Sequence, residues 1–498
     1  MPQREMRVRV LVGLGVASIA IAMRVYGLSW LFDYDGYDEG VYWQALRAMH
    51  AGLGLYDPIF HAQPPLFILL VYPFYALFGQ SIVAARAGIA VLSLLGLLGA
   101  AMTGRALAGR LGALAAMLLL AVTPAYLGLS QTLLAEGPAT AFLFLSVGAA
   151  LQWWERPVGK AAAIWAIVCG VALSIGILIK LLDVTAGVPI LMLVISLIWT
   201  SRQGSGSNRP TVLMPIVLGF VAAVAAASLA LMPFLPSLSA LLDQVVSFHL
   251  AAAKVLHTDN FGVLGRFVAT NGVLGVAAVL GALLALLRRD WRVIPLLAWL
   301  AATIVLLAVL SPLFLHHLIV LVPPLIALAV LGLGDLPAMK QAQETLPARL
   351  LSTQLAGPLM KVLVLVAVVA GIVGSYGYYQ EPSSQAETDI ARATAEIAAD
   401  LRALTTPGQW IITDAQFVAA LADRDTPPWL GDTSQKRILA GYLTTQQLLA
   451  DASNPRVHAV LFATNRLALG PTAGFHGWVS QHFALARPYG PGVELWIR

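Results

Sequence analysis

The sequence predicts a polytopic α-helical membrane protein with about eleven transmembrane helices and a small exterior C-terminal α/β domain. Three observations carry that reading. Of the 498 residues 59% are apolar before the 43 glycines are counted, against about 45–50% with glycine in a soluble protein. Apolar runs of about 20 residues, the length that crosses a bilayer as a helix, begin just after Arg7 and recur into the high 370s. The formal charge of +5 is unevenly divided: residues 1–380 carry 21 Lys/Arg against 14 Asp/Glu, and residues 381–498 carry 9 against 11. The basic excess flanks the apolar runs, so it gives no reason to invoke nucleic acid. One cysteine, Cys169, lies inside such a run, which excludes disulfide scaffolds, thiolate zinc sites and CxxC redox chemistry.

The expected spans are 8–28, 83–104, 111–128, 131–151, 162–180, 184–200, 211–232, 263–287, 291–310, 314–334 and 358–378. The first has Arg4, Arg7 and Arg9 ahead of it but no small-residue cleavage site before Arg24-Val25-Tyr26, and reads as an uncleaved anchor. The run 64–78 is too short for a span and reads as a re-entrant or interfacial helix. With a cytoplasmic N-terminus and 64–78 not crossing, the cytoplasmic loops hold 15 positive residues and the other side six. That alternation makes the multi-pass chain a cell-membrane protein with an exterior C-terminal domain. A catalytic membrane domain is thus expected over 1–379, with exterior loops 29–63 and 233–262, and a soluble α/β domain over 380–498. The stretch from Ser201 to Asn208 is a short cytoplasmic connection. In the tail, a helix over 385–404 precedes strands at 410–413 and 457–462. Helical patterns at 415–422, 444–452 and 474–486 separate or follow them, and 493–497 forms another strand.

The first exterior loop concentrates five acids, several aromatics and two histidines. From Asp38 to Met49 the apolar residues follow helical spacing, which predicts a helix on the membrane surface with Asp38 and Glu39 at its N-terminal end. There an acid is either functional or an ordinary cap. Glu136 begins a span near the same face, where it either faces a cavity or snorkels. Lys180 ends another span; it either pairs locally with Asp183 or offers a cation to a phosphate. His316 and His317 open a later span at that surface, where one of them is expected to contact substrate and either could instead cap the chain. The loop 233–262 reads as an amphipathic flap or a membrane-resting linker. His61, His249 and His257 are candidate ligands of a divalent metal gathered from separate loops, although HExxH is absent. Asp414, Asp432 and His458 read as loop or surface residues of an accessory domain. Polar groups gathered at one face favour chemistry there, with a lipid-borne donor arriving sideways. The competing reading is a transporter or flippase, which would trace polar groups along a midplane route.

Five motifs occur in order: DEGVYW at Asp38–Trp43, HAQPPLF at His61–Phe67, QTLLAEGPATAF at Gln131–Phe142, IKLLDVTAGVP at Ile179–Pro189 and HHLIVLVPP at His316–Pro324. With the spans around them, the chain resembles membrane glycosyltransferases of the GT-C class, in the group of protein O-mannosyltransferases and the lipid A aminoarabinose transferase. The resemblance implies a GT-C-like fold and an inverting transferase. It would move a sugar from a polyprenyl-phosphate donor to a hydroxyl of a glycan, lipid or protein at the exterior face, in contact with membrane lipids. It implies that Asp38 is the general base or acceptor-orienting acid, with Glu39 beside it. Glu136 stands where relatives commonly carry Asp. Gln63 stands before Pro-Pro where relatives often carry Lys, so phosphate binding falls to Lys180, His316 and His317. Metal dependence varies among relatives. No dinucleotide fingerprint or P-loop is evident, and no nucleotide cofactor is expected.

Overall fold

The computed structural model describes residues 3–30, 37–203, 212–334, 353–380, 385–468 and 470–498. Residues 31–36 of the first exterior loop and 204–208 of the cytoplasmic connection lie outside the described residues, as do Arg209, Lys340 and Arg349. Among the described residues, six helical segments are long and apolar enough to cross a membrane: Ile82–Val122, Gly159–Ile179, Leu181–Arg202, Leu213–Val255, Asn260–Leu287 and Gly357–Gln380. The first of these answers to two expected spans. Ala108 leaves helical geometry and Gly109 takes φ 61, a conformation that glycine adopts without steric cost. A Cβ on Gly104 would stand 2.1 Å from the Gly112 carbonyl oxygen, a contact that only a fold-back can make.

Of the remaining expected spans, the first corresponds to helix Gln3–Tyr26, and the others are shorter or start later than the apolar runs imply. Helices Val293–Val309 and Val322–Leu331, the latter after a 3-10 turn at Leu315–Leu321, stand for the two runs before residue 334. The run expected to start at 131 becomes helical only at Glu136, continuing to Glu155. Ser130 and Gln131 are instead buried in the connection from helix Pro124–Leu129, where Gln131 donates to the Met23 and Arg24 carbonyls. Helix Leu66–Leu77 has 12 residues, about 18 Å of helix against a hydrocarbon core of about 30 Å. Small residues let the bundle close: a Cβ on Gly99 would stand 2.4 Å from the Leu145 nitrogen, the close backbone approach that membrane helices use in place of a hydrophobic drive.

The expected surface helix is present at Tyr37–His50, but it does not lie free. Glu39 through Leu46 are buried. One side contributes Val41, Tyr42 and Trp43 to an apolar cluster with Phe67, Ile68 and Val71, and the other is covered by the C-terminal domain. The flap region is continuous with its span, interrupted by a 3-10 turn at Met232–Ser237 and a π turn at Asp243–Ser247 before helix Phe248–Val255.

In the tail, helix Gln385–Leu404 leads into a four-stranded sheet with strands β1 Trp410–Thr413, β2 Val457–Phe462, β3 Ala484–Gly490 and β4 Val493–Ile497. The order is β1-β2-β4-β3, with β1 and β2 parallel and the remaining pairs antiparallel. The helical pattern expected over 474–486 ends at His482, and the chain turns into the edge strand β3. Asp414 and Asp432 are buried rather than surface residues. Asp414 accepts from the Ala463 and Arg466 nitrogens (2.8 and 2.9 Å), tying β1 to the loop after β2.

Candidate active site

Three sequence-distant elements meet where the bundle faces the C-terminal domain. Glu136 is the first residue of its helix, Lys180 follows the last residue of helix Gly159–Ile179, and His316 and His317 sit in the 3-10 turn before the Val322 helix. Each breaks an apolar run, because a polar side chain is tolerated at the end of a membrane helix where backbone groups also need partners. The Lys180 ammonium donates to Glu136 Oε1, and His316 Nε2 lies 3.5 Å from the same oxygen. The expected alternative, a Lys180–Asp183 pair, does not form. Asp183 is buried with neither carboxylate oxygen hydrogen-bonded among the described residues, and its Oδ2 lies 2.6 Å from where a Cβ on Gly176 would stand.

The adjacent acids of helix Tyr37–His50 have opposite surroundings. Glu39 is buried and takes a two-pronged contact from Arg86, Nε to Oε1 at 2.9 Å and Nη2 to Oε2 at 2.6 Å, while its Oε1 also accepts from the Leu133 nitrogen at 2.5 Å. Both oxygens are therefore spent on holding this helix to the bundle. Asp38, one residue earlier, is half-buried and has no hydrogen-bond or ion-pair partner among the described residues. Its charge acts on Lys436 and His316, which places it at the polar end of the same assembly.

Beside this cluster is a cavity of about 310 Å³. Its walls include Val245, Leu250, Leu306 and Val309, and its polar groups are Gln63, Lys180, His249, Ser311, His317 and Lys436. Lys436 comes from helix Gln435–Leu439 in the C-terminal domain. Its ammonium lies 4.4 Å above the Phe314 ring, whose plane stacks on His316. Burial holds the Lys436 ammonium below the usual lysine range, with the Asp38 carboxylate opposing that shift. Lys436 gave no signal in the sequence beyond sitting next to Arg437, since its distance from residue 180 in the chain hides their shared cavity.

The three histidines expected to gather a metal do not converge. His61 is enclosed between Tyr42 and Tyr56, centroids 6.0 and 5.9 Å away, and both ring nitrogens lack partners. Burial pushes this imidazole down to about 4. His257 Nδ1 instead meets Ser311 Oγ at 3.2 Å, and His249 faces the cavity. Among the described residues it is Glu136, His316 and His317 whose ligand atoms lie within 4.8 Å of one another. These are suitable ligand types. However, the Lys180 ammonium already occupies a Glu136 oxygen and would repel a divalent ion, so the arrangement does not fit a metal while that pair is closed.

The C-terminal domain also fixes the helix that carries Asp38. Gln44 donates to the Arg424 carbonyl (2.9 Å), Arg47 pairs with Asp423 and Asp425 (both 2.7 Å), and the Tyr37 hydroxyl donates to Asp432 (2.9 Å). A Cβ on Gly40 would stand 2.2 Å from the Phe417 nitrogen, so only glycine permits this approach. These contacts join residues almost 400 positions apart, and no sequence period announces them.

The multi-pass helical bundle with its docked C-terminal α/β domain is similar in fold to solved GT-C membrane glycosyltransferases, and part of the chain is similar to them in sequence. The family model for dolichyl-phosphate-mannose-protein mannosyltransferase matches residues 49–252. ArnT from Cupriavidus metallidurans bound to undecaprenyl phosphate has the same fold at 16% identity, TM-score 0.62, over 100% of this chain and 98% of that one. Its apo state gives 15% and 0.61 over 99% and 98%. The archaeal oligosaccharyltransferase AglB from Archaeoglobus fulgidus, in complex with an inhibitory peptide and a dolichol-phosphate, gives 13% and 0.50 over 90% of this chain and 69% of that one. No curated protein matches the chain in sequence.

Proposed function

We propose that this protein is an inverting glycosyltransferase that moves a sugar from a polyprenyl-phosphate donor to a hydroxyl acceptor at the exterior membrane face. The observation that carries the reading is Asp38, a half-buried carboxylate with no hydrogen-bond or ion-pair partner among the described residues, whose charge acts on Lys436, a cation lining the neighbouring, mostly apolar cavity. Such a cavity suits an amphiphile with one anionic group. The likeness to ArnT bound to undecaprenyl phosphate supports the same donor class. In the proposed reaction the acceptor oxygen attacks the anomeric carbon and its proton passes to Asp38. The anomeric carbon–oxygen bond breaks with its electron pair going to the phosphate, which leaves as polyprenyl phosphate. The leaving group needs no proton from a second acid, so one base suffices.

Lys180 and the His316–His317 turn border the phosphate's place, Glu136 orients Lys180, and Glu39 positions Asp38 through the chain between them. Under this reading the N-terminus is cytoplasmic, the membrane domain covers 1–379 and the exterior domain 380–498, in keeping with the positive residues around the spans. Protease added to sealed right-side-out vesicles should reach the tail. The functional test is a membrane-reconstituted assay across defined polyprenyl-phosphate sugars, with product mass and anomeric configuration measured. Inversion of configuration is expected. Retention would overturn the single displacement, and absence of transfer from every polyprenyl donor would overturn the activity.

A further inference from the structure

We infer that Lys436, supplied by the C-terminal domain, holds the phosphate of the lipid donor, so that the donor site is complete only with that domain docked. The inference rests on the donor class proposed above and adds a residue to it. Its basis is a charge imbalance. Two ammonium groups, Lys180 and Lys436, border the cavity and no carboxylate does. Lys180 is neutralised by Glu136 from outside the lining. Lys436 makes no ion pair among the described residues, and its ammonium rests over the face of Phe314. A cation–π contact compensates a desolvated ammonium only in part. A half-buried cation with no carboxylate in contact among the described residues, open to a cavity of apolar walls, calls for an anion that carries its own apolar body.

Gln63 makes the same point. It borders the cavity just before Pro64, and its amide has no charge to offer. Lys436 comes from the C-terminal domain: its short helix packs on Phe248–Val255, and the neighbouring Arg437 is wedged between Phe60 and Trp429 at 3.8 and 4.5 Å. The helix that carries Lys436 is therefore anchored to the membrane domain at Phe60 and at Phe248–Val255, which sets the lysine at the cavity before any ligand arrives. As the sugar–phosphate bond breaks, negative charge accumulates on the phosphate, so a preplaced cation would lower the barrier as well as bind the donor.

The test uses purified full-length protein and three probes: undecaprenyl phosphate, undecaprenol and inorganic phosphate. Wild type is expected to prefer undecaprenyl phosphate to undecaprenol. Lys436→Met keeps the alkyl stem against Phe314 and should cut that preference roughly 10-fold or more, while Lys436→Arg should keep most of it, the scale of a charge-assisted contact. Binding of undecaprenol should be unchanged in both. Equal preference in wild type and Lys436→Met would overturn the inference and leave the proposed activity standing, as would failure of Lys436→Arg to restore binding lost in Lys436→Met. Inorganic phosphate binding as tightly as the lipid would overturn a lipid-anchored anion. Wild type without any preference for the phosphate would overturn the inference and the donor class together.

Discussion

Glu136 and Asp38 stand at the two ends of one polar assembly, and their surroundings differ in kind. Glu136 is buried and answered by Lys180, with His316 close by. Asp38 is half-buried, and among the described residues neither it nor the nearby Lys436 has an ion-pair partner. A buried charge must be paired to be tolerated. A half-buried, unpaired one is tolerated because water or substrate completes it. The closed end therefore reads as a scaffold, and the open end as the place where substrate groups supply what the protein leaves out.

The sharpest way to break that contrast is to unpair the closed end. Lys180→Met would leave Glu136 buried without its cation and should destabilise the protein by about 3–5 kcal/mol, whereas Lys180→Met with Glu136→Gln should recover most of it. Thermal unfolding in detergent measures this, and a single variant as stable as wild type would make the two ends alike. At the open end, Asp38→Asn preserves shape and removes basicity. Turnover should fall roughly 100-fold or more with donor binding and stability intact, the scale of positioned proton transfer. Normal turnover in a variant that binds both substrates would remove Asp38 as the base.

His61 sharpens the comparison from below. Burial lowers its folded value to about 4, from an ordinary value near 6.5 in the unfolded chain. A neutral buried imidazole contributes its full stability above the unfolded value, and that stability is lost as pH falls from about 6.5 through about 4, because the unfolded state takes up the proton first. The loss should be on the order of 1–3 kcal/mol. His61→Phe, which keeps an aromatic ring between Tyr42 and Tyr56, should flatten that part of an unfolding profile, and an unchanged acid slope would assign it to other groups. The smallest effect belongs to the rim. Asp423 is 71% exposed in its pair with Arg47, so Asp423→Asn should change stability by less than about 1 kcal/mol. A larger loss in unfolding experiments would mean that the domain contact is electrostatic rather than packed.

The bundle was legible in the sequence because membrane spans announce themselves by composition. The break between the runs ending at 104 and starting at 111 matches the fold-back at Gly109. Strands β1, β2 and β4 were legible as short apolar runs, whereas β3, ALARPYG, is an exposed edge strand that buries no alternating face. Asp38, Glu136, Lys180 and His316 could be singled out because charge is conspicuous in an apolar chain, and the fold brings them to one place. Which acid of the Asp38–Glu39 pair would be consumed by the scaffold was illegible, since that depends on Arg86, 47 residues away. The same holds for Lys436 and for the burial of Asp414 and Asp432, which arise only when the tail folds and docks.

Leu250 and Val309 line the cavity and yet are 62% and 73% exposed. In a bilayer a wall of that kind would open the cavity sideways, through residues at home in hydrocarbon, with Lys436 of the C-terminal domain as part of its roof. The two substrates of a transfer reaction would then use different doors. Spent lipid could drift out and fresh lipid drift in along the bilayer without lifting the roof, and an acceptor would approach Asp38 from the aqueous side. A protein with separate doors needs no large hinge to turn over, which is consistent with a domain fastened through the buried contacts of Gln44 and the close approach at Gly40.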